Sequence, residues 1–207
     1  MAKGGQDGGG AAVAEAPLEP PRLRERFRSE VLAKLKSEHG IANPMAAPVL
    51  EKIVINVNMG RHIEGTKIPQ NVKDGVIATL TAISGQKPIV LRAKKSVSNF
   101  KVREGYETAA MVTLRRERMW YFLDRLINLV APRIKDFRGL SRKSFDGNGN
   151  YSMGLNEQGV FPEIDMGRAG FAHGMHINFV FRNSDPELSR VVLTELGFPF
   201  EREGEDR

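Results

Sequence analysis

Apolar positions along the chain switch repeatedly between a helical and a strand period. Between Arg22 and His39, Leu23, Phe27, Val31 and Leu35 recur every four residues among Arg and Glu, giving one apolar stripe on a helix that Gly40 can stop. Asn43-Pro44 and Ala47-Pro48 mark a linker. From Glu51 to Met59 the period falls to two, with Ile53, Ile55, Val57 and Met59 on one face and Lys52, Val54, Asn56 and Asn58 on the other. Gln70–Ser84 is helical again, with Val72, Val76, Leu80 and Ile83 inward and Gly85 closing it. Lys87–Arg92 reads as a short strand and Gly105–Arg116 as a longer one, in which Ala110, Val112 and Leu114 oppose Met111, Thr113 and Arg115. Glu117–Ala131 is an apolar helix whose polar residues Arg118, Asp124, Arg125 and Asn128 fall on one side, ended by Pro132. Arg133–Asn150 is loop-like, and Asn150–Leu155 can form a strand. In Met175–Arg182, Ile177, Phe179 and Phe181 face inward and His176, Asn178, Val180 and Arg182 outward. Asp185-Pro186 opens a last helix, Glu187–Leu196, stopped by Gly197.

This order predicts an α+β fold. Helices between strands, in an order close to a split β-α-β, should cover one face of a largely antiparallel sheet. The other face stays open, and its predicted occupants are Asn56, Asn58, Thr113, Arg115, Asn178 and Arg182. Such a face can read structured RNA through 2′-hydroxyls and phosphates but is poorly equipped to stack splayed bases. A merely solvated face is the alternative; Asn, depleted in strands, at both 56 and 58 favours a working surface. Three segments follow from composition: a disordered Gly/Ala/Pro-rich extension over 1–21, one RNA-binding domain over 22–200 and a charged tail over 201–207.

Charge sharpens the picture. The 207-residue chain carries +6, from 31 basic and 25 acidic residues. Met1–Pro21 and Glu201–Arg207 are each −2, which leaves +10 on the body. A body this basic points to a polyanionic partner. The cations concentrate: Arg92 to Arg118 holds eight Lys or Arg against three Glu, clustered in Arg92–Phe100 and in Arg115-Arg116-Glu117-Arg118. A cationic loop at a strand edge, with hydroxyls and an aromatic among the charges, suits phosphate contact; an ordinary solvated loop is the bland alternative. With no Cys there is no disulfide framework or thiolate site. No signal peptide, lipid-anchor signal or apolar run of about 18 residues is visible, so a cytosolic location without membrane contact is expected.

Candidate chemistry is thin. Asp146, Asn148, Asn150 and Glu157 occupy calcium-loop spacings, but Tyr151 stands where the sharp turn needs Gly, and no entering helix precedes them. A Gly/Asn turn is preferred. His173 and His176 would lie on opposite strand faces, wrong for a shared metal. Glu163 and Asp165 could form a hydrolytic carboxylate pair, a rival reading, although Phe161-Pro162 looks like a structural turn. No phosphate-binding loop, nucleophile elbow or dinucleotide fingerprint appears. The expectation is no enzyme, no cofactor and no metal.

Collinear words then carry a resemblance. They include Glu51-Lys52-Ile53 with Asn56, Ser84-Gly85-Gln86-Lys87-Pro88, Ala93 through Lys101, Arg103-Glu104-Gly105, Val112-Thr113-Leu114-Arg115, and Glu117-Arg118-Met119-Trp120. They continue with Pro132 through Leu140, Phe145-Asp146-Gly147, Gly149-Asn150-Tyr151-Ser152 and Phe161 through Asp165, with Pro199-Phe200 at the end. Over roughly residues 22 to 165 the chain resembles the bacterial-type large-subunit ribosomal protein that binds 5S ribosomal RNA, the fifth of the large-subunit series. The resemblance implies a structural protein of the central protuberance in the cytoplasmic ribosome. Its partners would be 5S and large-subunit rRNA, peptidyl-site tRNA, neighbouring large-subunit proteins and a small-subunit head protein. It assigns Asn56, Gln86, Thr113 and Arg115 to 5S RNA, to which the alternation of the open face adds Asn58, and it assigns Lys94, Lys95, Ser96, Val97, Ser98, Asn99 and Phe100 to the tRNA. In that loop the lysines would act by charge and Ser96, Ser98 and Asn99 by hydrogen bonds, while Val97 and Phe100 hold its shape. Arg133, Arg138, Arg142 and Lys143 fall in the loop that approaches the small subunit. Departures are Asn58 for a usual glycine, Asn148 for a cation and Gly159 for a branched apolar residue. Met166–Asn183 matches poorly, which leaves its pairing in the sheet open. A free RNA chaperone using the same face is a further reading; co-sedimentation with large subunits in high salt separates it from a subunit protein.

Overall fold

A computed structural model of the chain describes residues 19–41, 43–62 and 67–201. The proposed extension (1–21) and tail (201–207) therefore lie almost wholly outside the described residues. Where the former meets the body, Pro21 is buried, and the Tyr121 hydroxyl donates to the Glu19 carbonyl.

The first helix runs as α1 (Arg22–Arg26), a π turn (Phe27–Val31) and α2 (Leu32–Glu38). A step of four residues overshoots a helical turn by about 40°. The wider π turn takes back that drift, and all four stripe residues are buried. β1 (Val49–Asn58), α3 (Gln70–Ser84), β2 (Ile89–Arg92), β3 (Glu107–Leu114) and α4 (Arg116–Arg125) follow. A π turn (Leu126–Val130) and a 3-10 turn (Ala131–Arg133) extend α4. β4 (Tyr151–Leu155), the short α5 (Met166–Ala169), β5 (Met175–Arg182) and α6 (Pro186–Glu195) complete the described chain.

The strands form one sheet, ordered β2-β3-β1-β5-β4, with every neighbouring pair antiparallel. β1 and β2 thus run parallel on either side of β3, joined through α3, which is the split β-α-β arrangement. Inward residues of the strands, Ile53, Ile55, Val112, Leu114, Ile177 and Phe179, share a core with Val76 and Leu80 of α3, Phe122 and Leu123 of α4, and Val192 and Leu193 of α6. The segment whose pairing was open pairs on both edges: β5 joins β1 and β4.

One expectation gains detail and one changes. The polar residues of α4 share one side, a sector of about 120° in which Asp124 and Arg125 stand about 100° apart and so reach different neighbours. Glu117 and Asp124 turn to α1, pairing with Arg24 and with Arg22, the latter at 2.8 Å. Arg118 and Arg125 turn the other way and donate to the Gly85 and Ile83 carbonyls that close α3. β3 is also shorter than its pattern: Arg115 leaves the ladder as the residue before α4, and Arg116 follows with a left-handed φ of 53°.

Gly149 shows how tightly the later half is joined. Its φ is 75°, and a Cβ there would sit 2.7 Å from the Asp185 carbonyl oxygen, at the start of α6. Gly149→Ala should cost roughly 2–4 kcal/mol, combining left-handed strain with a backbone collision. Gly147→Ala, with open space around it, should stay within about 0.5 kcal/mol of the parent. Urea denaturation of the two variants makes the comparison.

Candidate nucleic-acid interface

The register assembles the open face row by row. Asn56 lies between Met111 of β3 and His176 of β5; Val54 lies between Thr113 and Asn178. β2 adds Ile89 beside Met111, and β4 adds Ser152 beside Asn178. A polar band of Asn56, Thr113, Asn178, His176 and Ser152 therefore crosses the face, but Val54, Met111 and a 64% exposed Ile89 interleave with it. Alternation located the polar residues; only the register shows which apolar ones stand between them.

Asn56 has a buried side-chain oxygen with no hydrogen-bond partner among the described residues. An orphaned buried acceptor is costly to the free protein. Thr113 stands in the adjacent row. The other three predicted contacts border the face. Asn58 accepts from the Gly60 N–H at 2.7 Å, which commits its oxygen to the turn leaving β1. Gln86 donates its amide to the Thr113 carbonyl at 2.9 Å, closing the end of β3 that β2 is too short to reach. Arg115 sits beyond the ladder with an exposed side chain.

The loop Lys94–Phe100 is the tip of the β2–β3 hairpin. Backbone pairs continue past the ladder, Ala93 with Tyr106 at 2.8 Å and Val97 with Val102 at 2.9 Å, and Ser96 Oγ accepts from the Glu104 N–H. Ser98–Phe100 forms a 3-10 turn, and Lys101 turns the chain with φ 53°. At the base, Glu107 holds Lys73 at 2.7 Å, with Arg92 at 3.7 Å. The Lys73 hydrogen bond keeps the Glu107 carboxyl below its ordinary range. Val97 bridges to Val102 through its backbone, whereas the Phe100 ring is 73% exposed. The backbone bridges set the loop and leave the ring free.

The basic loop after α4 is pinned by the far end of the chain. Leu140 pairs with Pro199 and Glu201 at 2.8 and 3.1 Å, and the buried Tyr151 hydroxyl donates to the Ser141 carbonyl. Arg133, Arg138 and Lys143 are exposed and Arg142 half-buried. Asp146 accepts from the N–H groups of Asn148 and Asn150 and from the Asn150 side chain, which holds its carboxyl below the usual range. Those oxygens serve their own turn.

The rival chemistry does not converge. Glu163 is paired with Arg125, and Asp165 caps α5 by accepting from the Gly167 N–H. His173 is buried, its pKa lowered by burial, whereas His176 belongs to the open face. Gly159 has its missing side chain replaced by Met166, whose Cγ lies 2.9 Å from where a Cβ would be.

Two family profiles match: one described as ribosomal protein L5 over residues 43–103, and one describing the C-terminus of the same ribosomal family over residues 107–200. The second spans Met166–Asn183, where the word-by-word resemblance is weakest. The large ribosomal subunit protein uL5 of Roseiflexus castenholzii is 48% identical over 180 residues, 87% of this chain and 98% of that protein. The same-named protein of Thermobifida fusca is 49% identical over 183 residues, 88% of this chain and 94% of that one. With both halves matched in order on an uninterrupted sheet, this chain belongs to the uL5 family of non-enzymatic, structural ribosomal proteins.

Proposed function

We propose that the protein is a structural component of the large ribosomal subunit that binds 5S ribosomal RNA through the open face of its sheet. Asn56 and Thr113 supply central contacts there, with Asn58, Gln86 and Arg115 at the margins. The hairpin tip reaches peptidyl-site tRNA, Lys94 and Lys95 acting on phosphates and Phe100 on a base or ribose. The basic loop with Arg133, Arg138, Arg142 and Lys143 meets a small-subunit head protein. Large-subunit rRNA and neighbouring proteins complete its surroundings in the bacterial ribosome.

The observation that carries this reading is the polar band of Asn56, Thr113, His176, Asn178 and Ser152 that the register aligns on the sheet face away from the helical core. The interleaved apolar residues fit as well, since ribose presents apolar edges between its hydroxyls. Two separate surfaces, face and tip, explain how one small domain holds two RNAs at once.

Replacing Thr113 with Val keeps the strand shape and deletes one hydroxyl. It should weaken 5S RNA binding by roughly 1–2 kcal/mol, because a partner is left unpaired, with little change in stability. An unaltered isotherm at fixed salt would remove Thr113 from the interface.

Replacing both Lys94 and Lys95 with Gln should leave 5S RNA binding intact and weaken tRNA contact on reassembled ribosomes. Each lost phosphate contact should reduce the salt slope by about one unit. Loss confined to the 5S titration would invert the roles of tip and face. Equal loss in both would make the tip a general electrostatic contact.

A further inference from the structure

A groove of about 920 Å³ runs along the end of the sheet, between the first helix and the start of α4. Phe27, Leu32, Met119 and Trp120 contribute apolar lining, and five arginines, at positions 24, 28, 115, 116 and 118, line it against Glu51 and Glu117. Arg24 is paired with Glu117, and Arg118 donates to Gly85. No hydrogen bond or ion pair among the described residues engages the guanidinium groups of Arg28, Arg115 or Arg116. Arg116 adds a second oddity. It is a non-glycine residue held at φ 53°, at the head of α4. Such strain persists where the surroundings over-determine it and concentrates at functional sites.

We infer that this groove is a second RNA-binding site, occupied by the backbone of the same 5S RNA that lies on the open face, with Arg28 and Arg116 on its phosphates. The inference rests on the proposed 5S reading and extends it by residues that reading does not use. Continuity argues for the same molecule. Arg115 follows Thr113 by two residues on extended backbone, so it keeps the open-face side, and it also lines the groove. An RNA touching Thr113 is therefore at the groove's mouth. Chemistry argues for RNA: guanidinium groups recognise phosphates in a fork, and an apolar floor suits ribose and base surfaces.

The test uses the full chain, with salt titrations against isolated 5S RNA and, separately, large-subunit rRNA without 5S. Arg28→Gln and Arg116→Gln should each weaken 5S binding roughly ten-fold, and together they should reduce the salt slope by about two units. Arg116→Lys should restore most of the slope. Arg116→Gly separates binding from folding: it relieves the left-handed strain, so melting temperature should hold or rise while 5S affinity falls. A stable Arg116→Gly variant with full 5S affinity would overturn the inference, as would loss confined to large-subunit rRNA or to a protein partner on assembled subunits. Failure of the open-face reading looks different: Thr113→Val would then bind normally while the arginine variants still lost affinity.

Discussion

Pairing of β1 on both edges determines which side of every strand becomes core. Side chains alternate with period two, so a slip of one residue would send Ile53, Ile55 and Val57 to the wrong face. Because β3 and β5 both pair with β1, its register propagates to them and, through them, to β2 and β4. Helices α3, α4 and α6 then have one apolar surface to cover. The opposite surface follows as a consequence, and its polar band is aligned across four strands by the same register that aligns the core.

This dependence explains what is legible in the residues alone. β1, β5 and α3 carry clean periods, and their faces follow from residue type. The α6 start is legible because Asp185 and Pro186 are local signals, and Asp185 does accept from the Leu188 N–H. What escapes is non-local. Nothing in the α4 sequence says that Asp124 and Arg125 serve different neighbours, since that depends on where α1 and α3 pack. Nor does the sequence say that the Phe100 ring is exposed on a loop bridged through its backbone at Val97 and Val102. Gln86 reads as a simple surface contact in the sequence, whereas its amide also closes β3.

The two loops are stiffened by different means, with one result. The hairpin tip extends the β2–β3 pairing, and the basic loop borrows a partner from the chain's far end through Leu140 and Phe200. At Gly139, φ is 121° and a Cβ would fall 2.6 Å from the Glu201 nitrogen, so that crossing needs glycine. Cations on stiff supports lose less conformational freedom on binding than cations on floppy ones, and more of each contact's free energy reaches the complex.

Backbone strain follows the same map. Among the described residues, four non-glycine residues have positive φ: Lys101, Arg116, Asp136 and Asn183. Asn183 has a local reason, since Asn tolerates this region and its side chain donates to the Met45 carbonyl at 3.0 Å. The other three lie in the hairpin tip, at the groove and in the basic loop. None is of a residue type that favours the left-handed region except Asp136, and each sits among cations the core does not use. Folding alone would favour glycine at Lys101 and Arg116, as at Gly85, which closes α3 at φ 68°. A charged side chain at such a position is a cost to the free protein that a bound phosphate can offset. The strained lysine adjoins the exposed Phe100 at the hairpin tip, and the strained arginine lines the groove that Arg115 joins to the open face.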